Sequence, residues 1–155
     1  MAGLAFIVLL SLAAIFAPLL TKYSFAEQHY DQLLQSPSWA HPLGTDHLGR
    51  DTFARLLYGA RTSLSVGIFT QFIVLCIGLP IGAIAGYAGG RTDNLIMRFV
   101  DVMYAFPDIL LIILLRSVLG GSIYMLFLAI GLVAWVNVAR LVRGQILSLK
   151  TRDFV

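Results

Sequence analysis

The residues best equipped for chemistry are three histidines, His29, His41 and His47, and four acids, Glu27, Asp31, Asp46 and Asp51, gathered in one polar stretch. Imidazoles and carboxylates together can ligate a metal, but no two histidines fall three or four apart on one helix and no HExxH occurs. The spacing of a catalytic zinc site is therefore missing, and the histidines read as solvated loop residues with no metal expected. Ser11, Ser63, Ser65 and Ser148 lack a G-x-S-x-G context, which leaves an intramembrane hydrolase unsupported. Cys76 stands alone in an apolar run, with no partner for a disulfide or a metal site, and reads as lipid-facing or packing filler. No catalytic residue is assigned.

Charges inside apolar sequence are the second possibility, because an ionisable group in a bilayer is costly and usually functional. Arg98, Asp101 and Asp108 are such groups. Asp101 and Asp108 are seven residues apart, nearly on one face of a helix, as a proton or cation relay would need. The competing reading is a local Arg98–Asp101 pair near the cytoplasmic interface, with Asp108 beside Pro107 facing the bundle interior. Arg116 lies near enough to the external end to snorkel.

These residues must be positioned by an all-α, polytopic transmembrane bundle. The chain is 59% hydrophobic and 12% charged with a mean hydropathy of +0.86, outside the range of soluble domains. The net charge of +3 is small and scattered, so neither a nucleic-acid stripe nor a polybasic lipid-binding patch is expected; the partner is the bilayer and not nucleic acid. Four spans are predicted, at about residues 3–20, 62–87, 95–119 and 123–142. A cleaved signal is disfavoured for the first, since it lacks a basic n-region and Pro18 follows the small-residue stretch Ala14-Ile15-Phe16-Ala17.

Between the first two spans, residues 22–61 form a polar connection whose Lys22, Arg50, Arg55 and Arg61 equal its four acids. Within it, Thr45 or Asp46 is expected to cap an amphipathic helix over about 47–60 that lies on the membrane surface. Asp46–Arg50 and Asp51–Arg55 would be i,i+4 pairs, and Phe53, Leu56, Leu57, Ala60 and Leu64 would share one face. The second span carries Gly78, Gly82 and Gly86 at four-residue spacing, a face for close helix packing, and Pro80, which predicts a kink. Residues 86–93 read as a loop, Pro107 lies inside the third span and kinks it, and Gly120-Gly121-Ser122 makes a turn. Placing the N-terminus in the cytoplasm puts Arg91, Arg98, Arg140, Arg143, Lys150 and Arg152 inside, although four basic residues then lie outside.

Three motifs add a resemblance. Gly44-Thr45-Asp46-x-x-Gly49-Arg50-Asp51, Leu57-Tyr58-Gly59-Ala60-Arg61-x-Ser63-Leu64 and Gly86-Tyr87-x-Gly89-Gly90-x-x-Asp93 resemble the inner-membrane permeases of bacterial dipeptide, oligopeptide and nickel ABC importers, the C-type subunit in particular. The resemblance implies a type I importer permease in the bacterial plasma membrane. It would form the pathway with a homologous permease, be fed by an external binding protein and be driven by two cytoplasmic ATPases that hold the ATP and magnesium. This chain would be no enzyme and would need no cofactor. The Gly44, Thr45, Asp46, Gly49, Arg50 and Asp51 motif would contact the partner permease or the binding protein.

Residues 139–155, with Arg140, Arg143, Lys150, Arg152 and Asp153, look like the segment that leads into the family's ATPase-docking coupling helix. That helix and later spans are expected beyond Val155, and relatives usually begin with a basic tail, so an N-terminal portion with a trimmed start is expected. Relatives commonly have an acid matching Asp101 and a proline matching Pro107, whereas Asp108 and Arg116 are atypical. Peptide is favoured over nickel by family breadth alone. Two rivals are a small membrane scaffold or degenerate permease fragment, and an ion-coupled carrier using Asp101 and Asp108; no inverted repeat supports the carrier.

Overall fold

A computed structural model describes residues 1–152, and every regular element among them is a helix. These are α1 (Ala2–Ile15), α2 (Ala17–Leu20), α3 (Thr52–Ala88), α4 (Gly90–Ala105), α5 (Asp108–Leu119) and α6 (Ile123–Lys150). The chain divides into two compact units, Met1–Val66 and Gly67–Val155, with α3 running through the boundary.

In the first unit, the expected span at 3–20 is divided. α1 has 14 residues and rises only about 21 Å, short of a hydrocarbon core of about 30 Å. Its last turn closes with Phe16 N–H donating to Leu12 O at 2.9 Å. Pro18 then occupies the first turn of α2, where a missing N–H is harmless; deeper in a continuous helix it would cost a hydrogen bond and clash with the preceding turn.

The surface helix expected at 47–60 starts later and does not stop. α3 begins at Thr52 and continues through the second span, including Pro80, to Ala88. It cannot start earlier because Gly49 has φ +71° and its missing Cβ would sit 1.8 Å from the His29 carbonyl oxygen. At 37 residues, α3 is about 55 Å long, so it overruns the hydrocarbon and leaves its polar first turns outside.

In the second unit α3 and α6 run parallel in a register set by glycine. A Cβ on Gly78 would lie 2.7 Å from the Trp135 carbonyl oxygen, one on Gly82 2.4 Å from that of Ala139, and one on Gly86 2.9 Å from Ile146 Cβ. Gly131 of α6 answers in kind, with Ile73 Cγ2 at 2.7 Å from its would-be Cβ. Around this seam Val74, Val100, Trp135, Val136 and Ala139 form the buried core, and Phe99 stacks on Trp135 at 6.2 Å between centroids.

Three further boundaries move. The loop expected at 86–93 shrinks to a corner at Gly89, whose φ of +66° suits glycine and is followed by Gly90 at +53°. The third span is broken into α4 and α5, which meet at 87° across Phe106 and Pro107, because proline can neither donate to the ladder nor let its predecessor stay helical. α6 extends past residue 142 through the basic segment to Lys150. Against the four expected spans, α3 and α6 are long and apolar enough to cross a membrane, the bent α4–α5 pair makes a third if taken as one, and α1 is shorter.

Gly82→Leu should separate α3 from α6 and lower the midpoint of thermal unfolding in detergent by several degrees, as expected for a loss of about 2 kcal/mol or more. Gly67→Ala, whose Cβ would meet nothing within 4 Å, is the control and should hold or raise the midpoint. Equal midpoints for Gly82→Leu and the native chain would remove the packing role of the stripe.

Candidate functional site

The polar motif of the first unit folds around two carboxylates. Asp46 Oδ1 accepts the backbone N–H groups of Leu48 at 2.8 Å and Arg50 at 3.0 Å, and Oδ2 accepts Arg50 Nε at 2.8 Å and a guanidinium N–H of Arg55. Thr45 stitches the motif to the preceding segment: its Oγ1 donates to Gln32 O and accepts from Gln35 N–H at 2.8 Å. Gly44, at φ +71°, lies against the Gln35 carbonyl. A bridge between Thr45 and Asp51 closes the turn.

Asp51 is the second centre. One oxygen accepts Ala54 N–H at 2.6 Å, three residues into the helix, so Asp51 caps α3 in place of the expected Thr45 or Asp46. Its other oxygen lies 2.9 Å from His41 Nδ1, and His41 Nε2 lies 2.9 Å from Gln32 Oε1. His41 is 2% exposed and stacks on Tyr23 at 4.7 Å. That corrects the reading of all three histidines as solvated: His47 is exposed, His29 is half-buried 3.4 Å from Glu27, and His41 is a buried partner of the cap. The Asp51–Arg55 pair is likewise replaced, since Arg55 turns to Asp46 once Asp51 is engaged.

Burial of the Asp46 carboxyl works to raise its pKa. The N–H groups of Arg50 and Leu48 and the Arg50 guanidinium outweigh it, holding the carboxyl far below its ordinary 3.8.

In the second unit one face of α6 fastens two other helices. Arg143 grips Asp93 in the first turn of α4 with two bonds, Nε to Oδ1 at 2.5 Å and an Nη to Oδ2 at 2.6 Å. Arg140 donates to Asp101 and lies 4.1 Å from the Tyr104 ring centre. Lys150 Nζ donates to the Tyr87 carbonyl at 2.7 Å, one of the terminal α3 oxygens that no helical N–H can reach. Arg140, Arg143 and Lys150, expected to lead toward an ATPase, are thus engaged within the chain. Arg152 is exposed, and Asp153 lies outside the described residues.

The intramembrane charges rearrange accordingly. Asp101 pairs across to α6 instead of with Arg98, which shares a groove on α4 with Asn94 and Asp101. Asp108 opens α5 beyond the 87° bend and is exposed, so it does not share a helical face with Asp101. The relay reading loses the geometry that motivated it. The pairings that reasoning from spacing missed include His41–Asp51, Arg55–Asp46, Arg140–Asp101 and Asp93–Arg143, and Asp93 was already visible as the last residue of the third motif.

Residues 78–155 match the family model described as the binding-protein-dependent transport system inner membrane component, and residues 1–37 match that of the N-terminal TM domain of oligopeptide transport permease C. The chain belongs to the binding-protein-dependent transport permease family. It is 42% identical over its full length to the oligopeptide transport system permease protein OppC of Bacillus subtilis, of which it covers 51%. It is 46% identical over 99% of its length to the dipeptide permease protein DppC of Alkalihalophilus pseudofirmus, covering 50%, and 45% identical over its full length to the glutathione permease protein GsiD of Escherichia coli, covering 52%. The chain therefore spans about half the length of these relatives.

Two outcomes are expected. Arg143→Gln leaves the mostly buried Asp93 without its partner and should cost about 1.5–3 kcal/mol in chemical denaturation, while the exchange Asp93→Arg with Arg143→Asp should restore part of it; no recovery would mean the pair is not coupled. For Asp46, the folded form holds fewer protons than the unfolded one, so its contribution is complete at neutral pH and is lost as pH falls below 3.8 toward the depressed folded value. The stability gap between the native chain and Asp46→Asn should be level between about pH 5 and 7 and shrink below that range. A gap that stays constant into stronger acid would show that the Asp46 contacts contribute nothing.

Proposed function

We propose that this chain is part of a permease subunit that forms the translocation pathway of a peptide ABC importer in the bacterial plasma membrane, as a multi-pass protein. The observation that carries the reading is the similarity, over essentially all of this chain and about half of each relative, to permease proteins named for oligopeptide, dipeptide and glutathione transport. All three cargoes are peptides, which favours peptide over nickel. The partners in this reading are a homologous permease, an external binding protein and two cytoplasmic ATPases that bind and hydrolyse the nucleotide, so the permease itself needs no hydrolytic residue.

The physical features fit such a role. A pathway wall must move without coming apart, and the parallel α3–α6 seam closed by Gly78, Gly82 and Gly86 gives a unit able to shift as one body. With the N-terminus inside, the Asp46–Asp51 motif lies on the external face and Arg140, Arg143 and Lys150 lie at the cytoplasmic end, the side from which an ATPase would push. Charges there agree with the basic bias of cytoplasmic ends.

The test is uptake in a strain lacking the gene, complemented with the native copy. Labelled tripeptide should enter only with complementation, and entry should collapse when ATP is depleted while surviving a protonophore. Nickel uptake in place of peptide uptake would overturn the cargo. Dependence on the proton gradient and not on ATP would overturn the importer reading itself.

A further inference from the structure

We propose that the first turns of α3 hold the phosphate of an anionic phospholipid, with Arg61 as the principal ligand. A cavity of about 290 Å³ opens there, lined by Phe25, Arg55, Tyr58, Gly59, Arg61 and Thr62. Two of these six are arginines and none is an acid. Arg55 is already turned to Asp46, but that carboxylate also takes Arg50, so one negative charge faces two positive ones. Arg61 has no carboxylate partner among the described residues. The stretch 22–61 is neutral in sum, yet the fold spends its acids elsewhere: Asp51 on His41 and the helix cap, Asp46 on two guanidiniums. What remains beside the cavity is net positive.

Depth selects the kind of anion. Arg61 is the last charged residue before Arg91, and the uncharged run begins at Thr62. A guanidinium one step above an apolar span sits at headgroup level, where lipid phosphates are the most concentrated oxyanions. Tyr58 and Phe25, 5.3 Å apart, line the same wall, and a tyrosine with an apolar body and a polar tip suits that layer. The planar guanidinium matches phosphate with two parallel N–H donors.

Gly59 supplies the room. It lies inside α3, where glycine has a lower helix propensity than alanine, and apart from its chain neighbours and the adjacent helix backbone no atom lies within 4 Å of where its Cβ would be. The glycine is not explained by packing inside the chain. Lying one turn after Arg55 in the lining of the cavity, it leaves space for an occupant to approach the helix backbone there. The site is independent of the cargo reading, requiring only that the chain lie in a bilayer.

The purified chain, extracted into detergent with equimolar phosphatidylglycerol and phosphatidylcholine, should retain phosphatidylglycerol preferentially by native mass spectrometry. Arg61→Gln should lower that retention about tenfold, the size expected for one lost charge-assisted contact. Gly59→Leu fills the cavity while raising helix propensity, so it should fold and lose the lipid equally. Arg91→Gln, at the opposite end of the uncharged run, should keep it. Equal retention of both lipids by the native chain, or unchanged retention in Arg61→Gln, would overturn the proposal. So would complete displacement by inorganic phosphate, which would make the site one for the free anion, or binding of an acidic peptide to Arg61 with no preference among lipids.

Discussion

The second unit depends on how closely two backbones can approach. In hydrocarbon there is no hydrophobic gain from pressing one apolar helix on another, because the lipid tails are as apolar as leucine; attraction comes from dispersion contacts and interhelical polar bonds, both steep in distance. Gly78, Gly82 and Gly86 remove the side chains that would hold α6 away, and the carbonyls of Trp135 and Ala139 occupy the vacated space. The buried core beside the seam presupposes that approach. Val74 reaches Trp135 and Val136, and the rim hydrophobics Ile77 and Ile81 join them, because α6 is close. Arg143 then falls opposite the corner at Gly89 and can take the first acid of α4.

That corner shows how the chain terminates helices where local caps are missing. α3 ends without a basic residue in its last turn, leaving terminal carbonyls and a partial negative charge. Lys150 answers from another helix by donating to the Tyr87 carbonyl. α4 begins with no side-chain cap but with Asp93 in its first turn, the favourable sign for the positive end of a helix dipole. Arg143 fixes that acid in place. One basic face of α6 thus completes the end of one helix and the start of the next.

What could be read from the sequence followed how local each signal is. The glycine stripe was legible because a four-residue period means one helical face whatever surrounds it. Pro107 marked where a continuous third span would kink, but the break into two helices at 87° depends on how α4 and α5 pack on α6, which no local pattern encodes. The polar motif was misjudged because the i,i+4 rule presupposes a helix. Gly49 takes a left-handed conformation, with the His29 carbonyl beside it leaving no room for a Cβ, and Asp46 and Arg50 pair across a turn while Asp51 bonds His41. His41 and Asp51 are ten residues apart, and Asp93 and Arg143 fifty; neither separation has a periodicity to betray it.

The two polar clusters differ in what it costs to rearrange them. At the Thr52 end the groups are short, shared and hidden: Asp51 holds a helix cap and a buried imidazole at once, and Thr45 both donates and accepts. Displacing any one of them strands a buried donor or acceptor, at about 1–3 kcal/mol each. At the Lys150 end the contacts are made by long side chains, and Arg140 and Asp101 are 37% and 64% exposed, so little of the chain itself encloses that pair. Only Asp93, 10% exposed, resists there. Parting Asp93 from Arg143 therefore leaves a nearly buried carboxylate without its partner, whereas Arg140–Asp101 joins two side chains that the rest of the chain leaves largely uncovered. At the glycine seam the two backbones touch with no soft side chains between them, so that contact has the least room of all to adjust.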